Sequence, residues 1–179
     1  MDIDIRFERK PFADLKFGAL FVGIIARQSV VRAIKAYVET RSGDPDDYFV
    51  TVGPFDVDLG KFPVLHSSTA LRDEPVLELT EGYQFSPSLA PDDIIKDLPS
   101  GEYAFGTLLL GGSQILMGVA EIESGGRSRL WWLNIKTGEV LPPPRHSDFT
   151  AIRRWRLMEP TEHPTPTAIF EFNAETGST

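Results

Sequence analysis

Three apolar runs in the second half of the chain, Tyr103 to Leu110, Gln114 to Ile122 and Arg129 to Ile135, are separated by Gly111-Gly112 and by Ser124-Gly125-Gly126. Short runs of this kind, broken by glycine at such close spacing, leave little but strands that reverse at tight turns and pair with their sequence neighbours. The segment therefore reads as an antiparallel meander. Lys136-Thr137-Gly138-Glu139 closes its third strand, and Pro142-Pro143-Pro144 stops whatever follows Val140. Side chains alternate along a strand, so Trp131 and Trp132 fall on opposite faces, one entering the core and the other looking outward. Trp132 is the candidate partner-facing anchor.

The same periodicities organise the first half. Ile3, Ile5 and Phe7 alternate with Asp2, Asp4 and Arg6, the period of a strand with one dry face. The run from Lys16 to Ala26 is continuously apolar and suits a buried strand. Its widest extent, Leu15 to Ala26, is 12 residues, well short of the roughly 20 that cross a bilayer. After Ser29, a potential N-cap, Val30, Ile34, Tyr37 and Val38 recur at helical spacing, which predicts a helix. Ser42-Gly43-Asp44-Pro45-Asp46-Asp47 supplies turn chemistry. Tyr48 to Val52 reads as a strand, and Phe55, Val57 and Leu59 alternate with Asp56 and Asp58 as the second arm of a hairpin whose polar face carries carboxylates. Val76 to Leu79 is a short strand, and Asp92 to Leu98 one helical turn or two. A helix capped by Ser147 or Asp148 and running through Met158 would place Phe149, Ile152 and Trp155 on one face. Ala168, Phe170 and Phe172 form a last strand, before a polar tail from about 173. The expected fold is a single α+β domain over residues 1–179, mainly antiparallel sheet with a few helices.

With 179 residues, 41% of them hydrophobic, the chain is long and apolar enough to bury a core. It contains no cysteine, which removes disulfides, thiolate nucleophiles and sulfur-built zinc sites. The start Met1-Asp2-Ile3-Asp4 is acidic and alternating, unlike a secretory signal, and a cytoplasmic location is expected. The net charge is −8, which disfavours nucleic acid and anionic membranes as partners. Its distribution is uneven. Between residues 40 and 100 there are 12 acidic side chains and four basic ones, while the rest of the chain has 14 of each. An acidic face of this kind suits a basic protein partner.

Asp44, Asp46, Asp47, Asp56 and Asp58 carry the densest part of that surplus. Counted from Asp44, an EF-hand would need glycine where Phe49 stands and glutamate where Phe55 stands, so the cluster reads as a solvated, partner-binding surface and not as a metal site. His66, His146 and His163 show no paired-ligand spacing. His66 precedes Ser67 and Ser68, yet adjacency in sequence does not align a nucleophile with a base. Ser113 lacks the second glycine of a GxSxG elbow. Gly53 to Lys61 has the wrong spacing for a phosphate loop, and no GxGxxG occurs. No catalytic residue, metal or cofactor is assigned. Arg145, Arg153, Arg154 and Arg156 form the one basic cluster, read as paired within the chain or solvated.

Residues 101 to 156 pass from the meander through Leu130-Trp131-Trp132-Leu133-Asn134-Ile135 and Lys136-Thr137-Gly138-Glu139-Val140 into Ser147-Asp148-Phe149-Thr150-Ala151-Ile152. That order resembles the C-terminal part of the Smi1/Knr4-like (SUKH) proteins, many of which are immunity proteins that neutralise bacterial toxins. The resemblance implies an α+β binding domain without catalysis. The leading functional expectation is thus a non-catalytic interaction protein that presents an acidic face to a basic partner, with toxin neutralisation as its most specific form. The alternatives are a small hydrolase or metal-dependent enzyme using the Asp44–Asp58 cluster or His66, and a structural or assembly protein of a phage or secretion apparatus.

Overall fold

The computed structural model describes residues 7–25, 29–39, 45–53, 62–71, 75–79, 82–95, 103–123, 125–144, 149–160 and 167–174. Its strands are, in chain order, β1 (Phe7–Pro11), β2 (Leu20–Ile25), β3 (Ser29–Glu39), β4 (Pro45–Gly53), β5 (Val64–Ser67), β6 (Pro75–Leu79), β7 (Gln84–Pro87), β8 (Ile94–Ile95), β9 (Leu108–Gly111), β10 (Gln114–Ile122), β11 (Ser128–Asn134), β12 (Val140–Leu141), β13 (Thr150–Ile152), β14 (Arg154–Glu159) and β15 (Thr167–Asn173). The helical pieces among the described residues are three short 3₁₀ turns, Phe12–Asp14, Ser68–Ala70 and Pro91–Asp93.

This overturns the expected α+β class. The protein is mostly β, with 65% of described residues in strands. The segment expected as a helix after Ser29 is β3, an 11-residue strand paired antiparallel with β4. Both faces of β3 are covered: Val31 and Ala33 pack with Phe12, Phe21 and Phe49, while Ile34 and Ala36 pack with Val50 and Val52. A strand dry on both faces loses its alternation, and the apolar residues that remain mimic helical spacing. Its β-branched and aromatic residues, Val30, Val31, Ile34, Tyr37 and Val38, are those that favour a strand.

The second expected helix, through Met158, is two strands. β13 belongs to the large sheet and β14 to the small one, with Arg153 between them. That one-residue step shifts the phase of burial from Ile152 to Trp155, which reproduces an i, i+3 spacing without any helix. Along β14, buried Trp155 and Leu157 alternate with Arg154 and Arg156. The meander is present as β9, β10 and β11 paired antiparallel, and the last strand is β15. Where one or two helical turns were expected from Asp92, there is the 3₁₀ turn Pro91–Asp93 followed by strand β8, with residues 96–98 outside the described residues. Of the turn expected at Ser42 to Asp47, Pro45, Asp46 and Asp47 belong to β4. The strands expected at residues 1–6 and 55–59 lie outside the described residues, as does the tail beyond 174.

Twelve strands form a mixed sheet in the order β1-β6-β2-β3-β4-β5-β10-β9-β13-β8, with β11 on the other edge of β10 and β12 beyond it. β10 is the branch point. Its first half pairs β9 antiparallel, and Ala120 and Glu121 pair β5 in parallel. The small sheet, β15-β14-β7, is tied to the large one by Trp155. That indole is fully buried among Phe85, Phe170 and Phe172, and its Nε1–H donates to the Gly106 carbonyl at 2.8 Å. Gly106 has φ +85°, and a Cβ there would run into the Phe172 ring, so the seam requires glycine on both counts. No helix among the described residues is long and apolar enough to cross a membrane.

Candidate protein-binding surface

The β3–β4 ribbon ends in acid. Its register places Val38 opposite Asp46, Tyr37 opposite Asp47 and Glu39 opposite Pro45. A third segment joins them: the turn after β11 docks on β3 through the bond from the Tyr37 N–H to the Gly138 carbonyl at 2.8 Å and a parallel bridge between Tyr37 and Glu139. Gly138, at φ +75°, permits this, because a Cβ there would lie 2.5 Å from both the Gly18 nitrogen and the Lys35 carbonyl oxygen. Glu39, Asp46, Asp47 and Glu139 thus come from separate stretches of sequence to one end of one ribbon, with Glu39, Asp47 and Glu139 around Tyr37 and Asp46 on the other face.

Exposure and charge make the end distinctive. Glu39 and Asp46 are exposed, while Asp47, Glu139 and Tyr37 are half-buried. The Tyr37 phenol is pushed above its ordinary pKa by burial first, then by the negative charges of Glu139 and Glu39. Its ring lies 4.7 Å from that of Phe17. Lys35 is the counterweight. It is only 3% exposed, and its Nζ donates to the Phe12 and Ala13 carbonyls at 3.3 and 3.0 Å, lies over the Phe12 and Phe17 rings, and sits 3.6 Å from Asp47. Among the described residues, Asp47 alone of the four carboxylates has a cationic partner.

Of the five aspartates singled out in the sequence, Asp46 and Asp47 are placed here, and Asp44, Asp56 and Asp58 lie outside the described residues. As neighbours on a strand, Asp46 and Asp47 point to opposite faces, Asp47 toward Tyr37 and Lys35 and Asp46 with Val38. Among the described residues no three His, Asp or Glu side chains gather as a metal-holding group. Glu39, Glu139 and Tyr37 escaped the sequence reading. The signal for Glu139 was present in the Lys136–Glu139 turn, but only the docking of that turn on β3 gives it a role.

Trp132 requires a correction. It is fully buried, edge-on to Tyr103, in a cluster with Leu109, Leu116 and Ala151. Trp131, on the opposite face, is half-buried against the main core; its Nε1–H donates to Glu121 at 2.7 Å and the Arg129 guanidinium lies 4.4 Å from its ring centroid. Tyr103 packs edge-on against Trp132, and the neighbours of Trp132 on the same face of β9, β10 and β13 complete the cluster, which the alternation of a lone strand cannot reveal.

The other candidates resolve as structural. His66 stacks on Phe49 at 5.0 Å, its buried Nε2 has no hydrogen-bond partner among the described residues, and burial lowers its pKa to about 4. Ser67 is engaged with Thr69, accepting its N–H and sharing a hydroxyl contact at 3.2 Å. Arg156 pairs with Glu171 at 2.8 Å, and Arg154 lies near Asp93 and Glu171 at 3.7 and 3.8 Å. Gly112 and Ser113 form the two-residue turn between β9 and β10, closed by the Gly111–Gln114 pair.

The described residues form a mostly β fold built on one large mixed sheet and a small aromatic-seamed one. Comparison with family models, with curated proteins and with solved structures finds no match.

Proposed function

We propose that this protein is a non-catalytic interaction protein of the cytoplasm that offers the acidic end of the β3–β4 ribbon to a basic protein partner, with toxin neutralisation as its most specific form. The observation that carries the reading is the gathering of Glu39, Asp47 and Glu139 around Tyr37, with Asp46 on the other face of the same ribbon end and one neutralising lysine among the described residues. Like charges held together raise the energy of the free protein and are relieved by a cationic partner, and complementary fields also raise the encounter rate. Tyr37 and Phe17 add aromatic surface on which lysine or arginine stems can pack.

The test uses the tagged protein as bait in an extract of its source cells, beside the variant carrying Glu39→Lys and Asp46→Lys. Both changes are at exposed positions, so folding survives. The wild type is expected to retain a basic protein that is released as salt rises, and the double variant is expected to bind that protein about tenfold more slowly. Equal retention by both forms at every salt concentration contradicts the reading.

A further inference from the structure

At the other end of the ribbon the same sheet has an uncovered apolar face. Register places Arg9 opposite Leu77, Leu77's other neighbour Val22 opposite it on β2, and Val22 opposite Arg32. Directly opposed residues share a face, so Arg9, Leu77, Val22 and Arg32 form one row across β1, β6, β2 and β3. The next position outward on that face is the cross-strand pair Ile24 and Val30, which are 51% and 61% exposed. One row inward, Leu20 and Ile34 pass into the core. The face therefore runs from buried through half-buried to open, with its most exposed apolar residues paired and not scattered. Paired, exposed apolar side chains beside half-buried ones mark a surface that is covered by something else.

The row's ends say what covers it. Arg9 is exposed and Arg32 half-buried, and neither has a carboxylate partner among the described residues. On the opposite face of the same strands, Lys10 pairs with Glu78 at 2.7 Å. Four strands at about 4.8 Å spacing set the row's ends about 14 Å apart, which equals roughly four residues of extended chain. In an extended segment, residues i, i+2 and i+4 project to one side.

We propose that this face docks an extended acidic segment of a partner protein, with carboxylates at i and i+4 reaching Arg9 and Arg32 and an apolar side chain at i+2 resting on Leu77, Val22 and the Ile24–Val30 pair. The chain's net charge of −8 opposes such a partner at long range. Screening confines that repulsion to about 8 Å at physiological salt, so the two local arginines govern docking. The surface is separate from the acidic end, and the inference stands whether or not that reading does.

The probe is a fluorescein-labelled peptide of repeating Glu-Thr-Leu-Thr, followed by anisotropy. Saturable binding is expected, weakened about tenfold by the pair Arg9→Gln and Arg32→Gln and measurably by Val30→Ser, while a peptide of repeating Lys-Thr-Leu-Thr does not bind. Circular dichroism confirms that each variant remains folded. Absence of saturable binding, equal binding of the lysine peptide, or binding unchanged in the arginine pair overturns the proposal. Concentration-dependent dimerisation of the free protein that Val30→Ser abolishes also overturns it, because the occupant is then a second copy of the chain.

Discussion

The two faces of the large sheet at β3 and β4 are closed by different chemistry. On one, Ile34, Ala36, Val50 and Val52 lie under Trp155 and Phe172, and the Trp155 N–H is satisfied by a backbone carbonyl. On the other, the Phe12, Phe21 and Phe49 rings meet edge to face, and the rim is finished by two amphipathic cations or would-be cations, Lys35 and His66. The first closure draws on buried area and is indifferent to pH and salt. The second depends on ionisation, since burial keeps the His66 ring neutral, while Lys35 is held by carbonyls, rings and Asp47. This conditional face is also the one that leads outward to Tyr37, Glu39 and Asp47.

The largest expected effect comes from opening the apolar side. Trp155→Ala removes the side chain shared by Phe85, Phe170 and Phe172 and leaves the Gly106 carbonyl without its donor. A loss of roughly 3 to 5 kcal/mol is expected from denaturant unfolding, independent of pH between 5 and 8. A loss below about 1 kcal/mol would show that the small sheet contributes little to the closure.

A smaller effect tests the conditional side. The His66 pKa is lowered to about 4 from the ordinary 6.5, so between those values the unfolded chain binds a proton that the folded chain excludes. Stability is therefore complete above pH 6.5 and falls as pH drops from 6.5 toward 4, by up to about 3 kcal/mol. His66→Phe keeps the stack on Phe49 and should lack that slope, so the difference between variant and wild type isolates it. A wild-type stability curve that matches the variant throughout this range would mean that the histidine is solvated in the native state.

What was legible in the sequence follows the same division. The meander could be read because glycine pairs fix its turns, and β15 because Ala168, Phe170 and Phe172 alternate on an edge-facing strand. β3 and the β13–β14 pair could not, for two separate reasons: β3 is buried on both sides, so alternation vanishes, and Arg153 marks a change of sheet that shifts the burial phase. Trp132 was misplaced because its burial depends on Tyr103 and on the cluster with Leu109, Leu116 and Ala151 from other strands. Half of the acidic end was visible as Asp46 and Asp47, whereas Glu139 is far away in sequence and reaches Tyr37 only through a turn whose docking needs Gly138 and Gly18 in contact.

The most direct measurement of the acidic end is an amide NMR titration of the labelled protein with an oligolysine peptide at low salt. Shift changes are expected to concentrate at Tyr37 to Glu39, Asp46 to Tyr48 and Gly138 to Glu139, and to fade as salt rises, because the field of clustered, largely unneutralised carboxylates is strongest there. Changes spread evenly over all exposed carboxylates, or centred on Asp92 and Glu171 instead, would contradict a binding surface at the end of the β3–β4 ribbon.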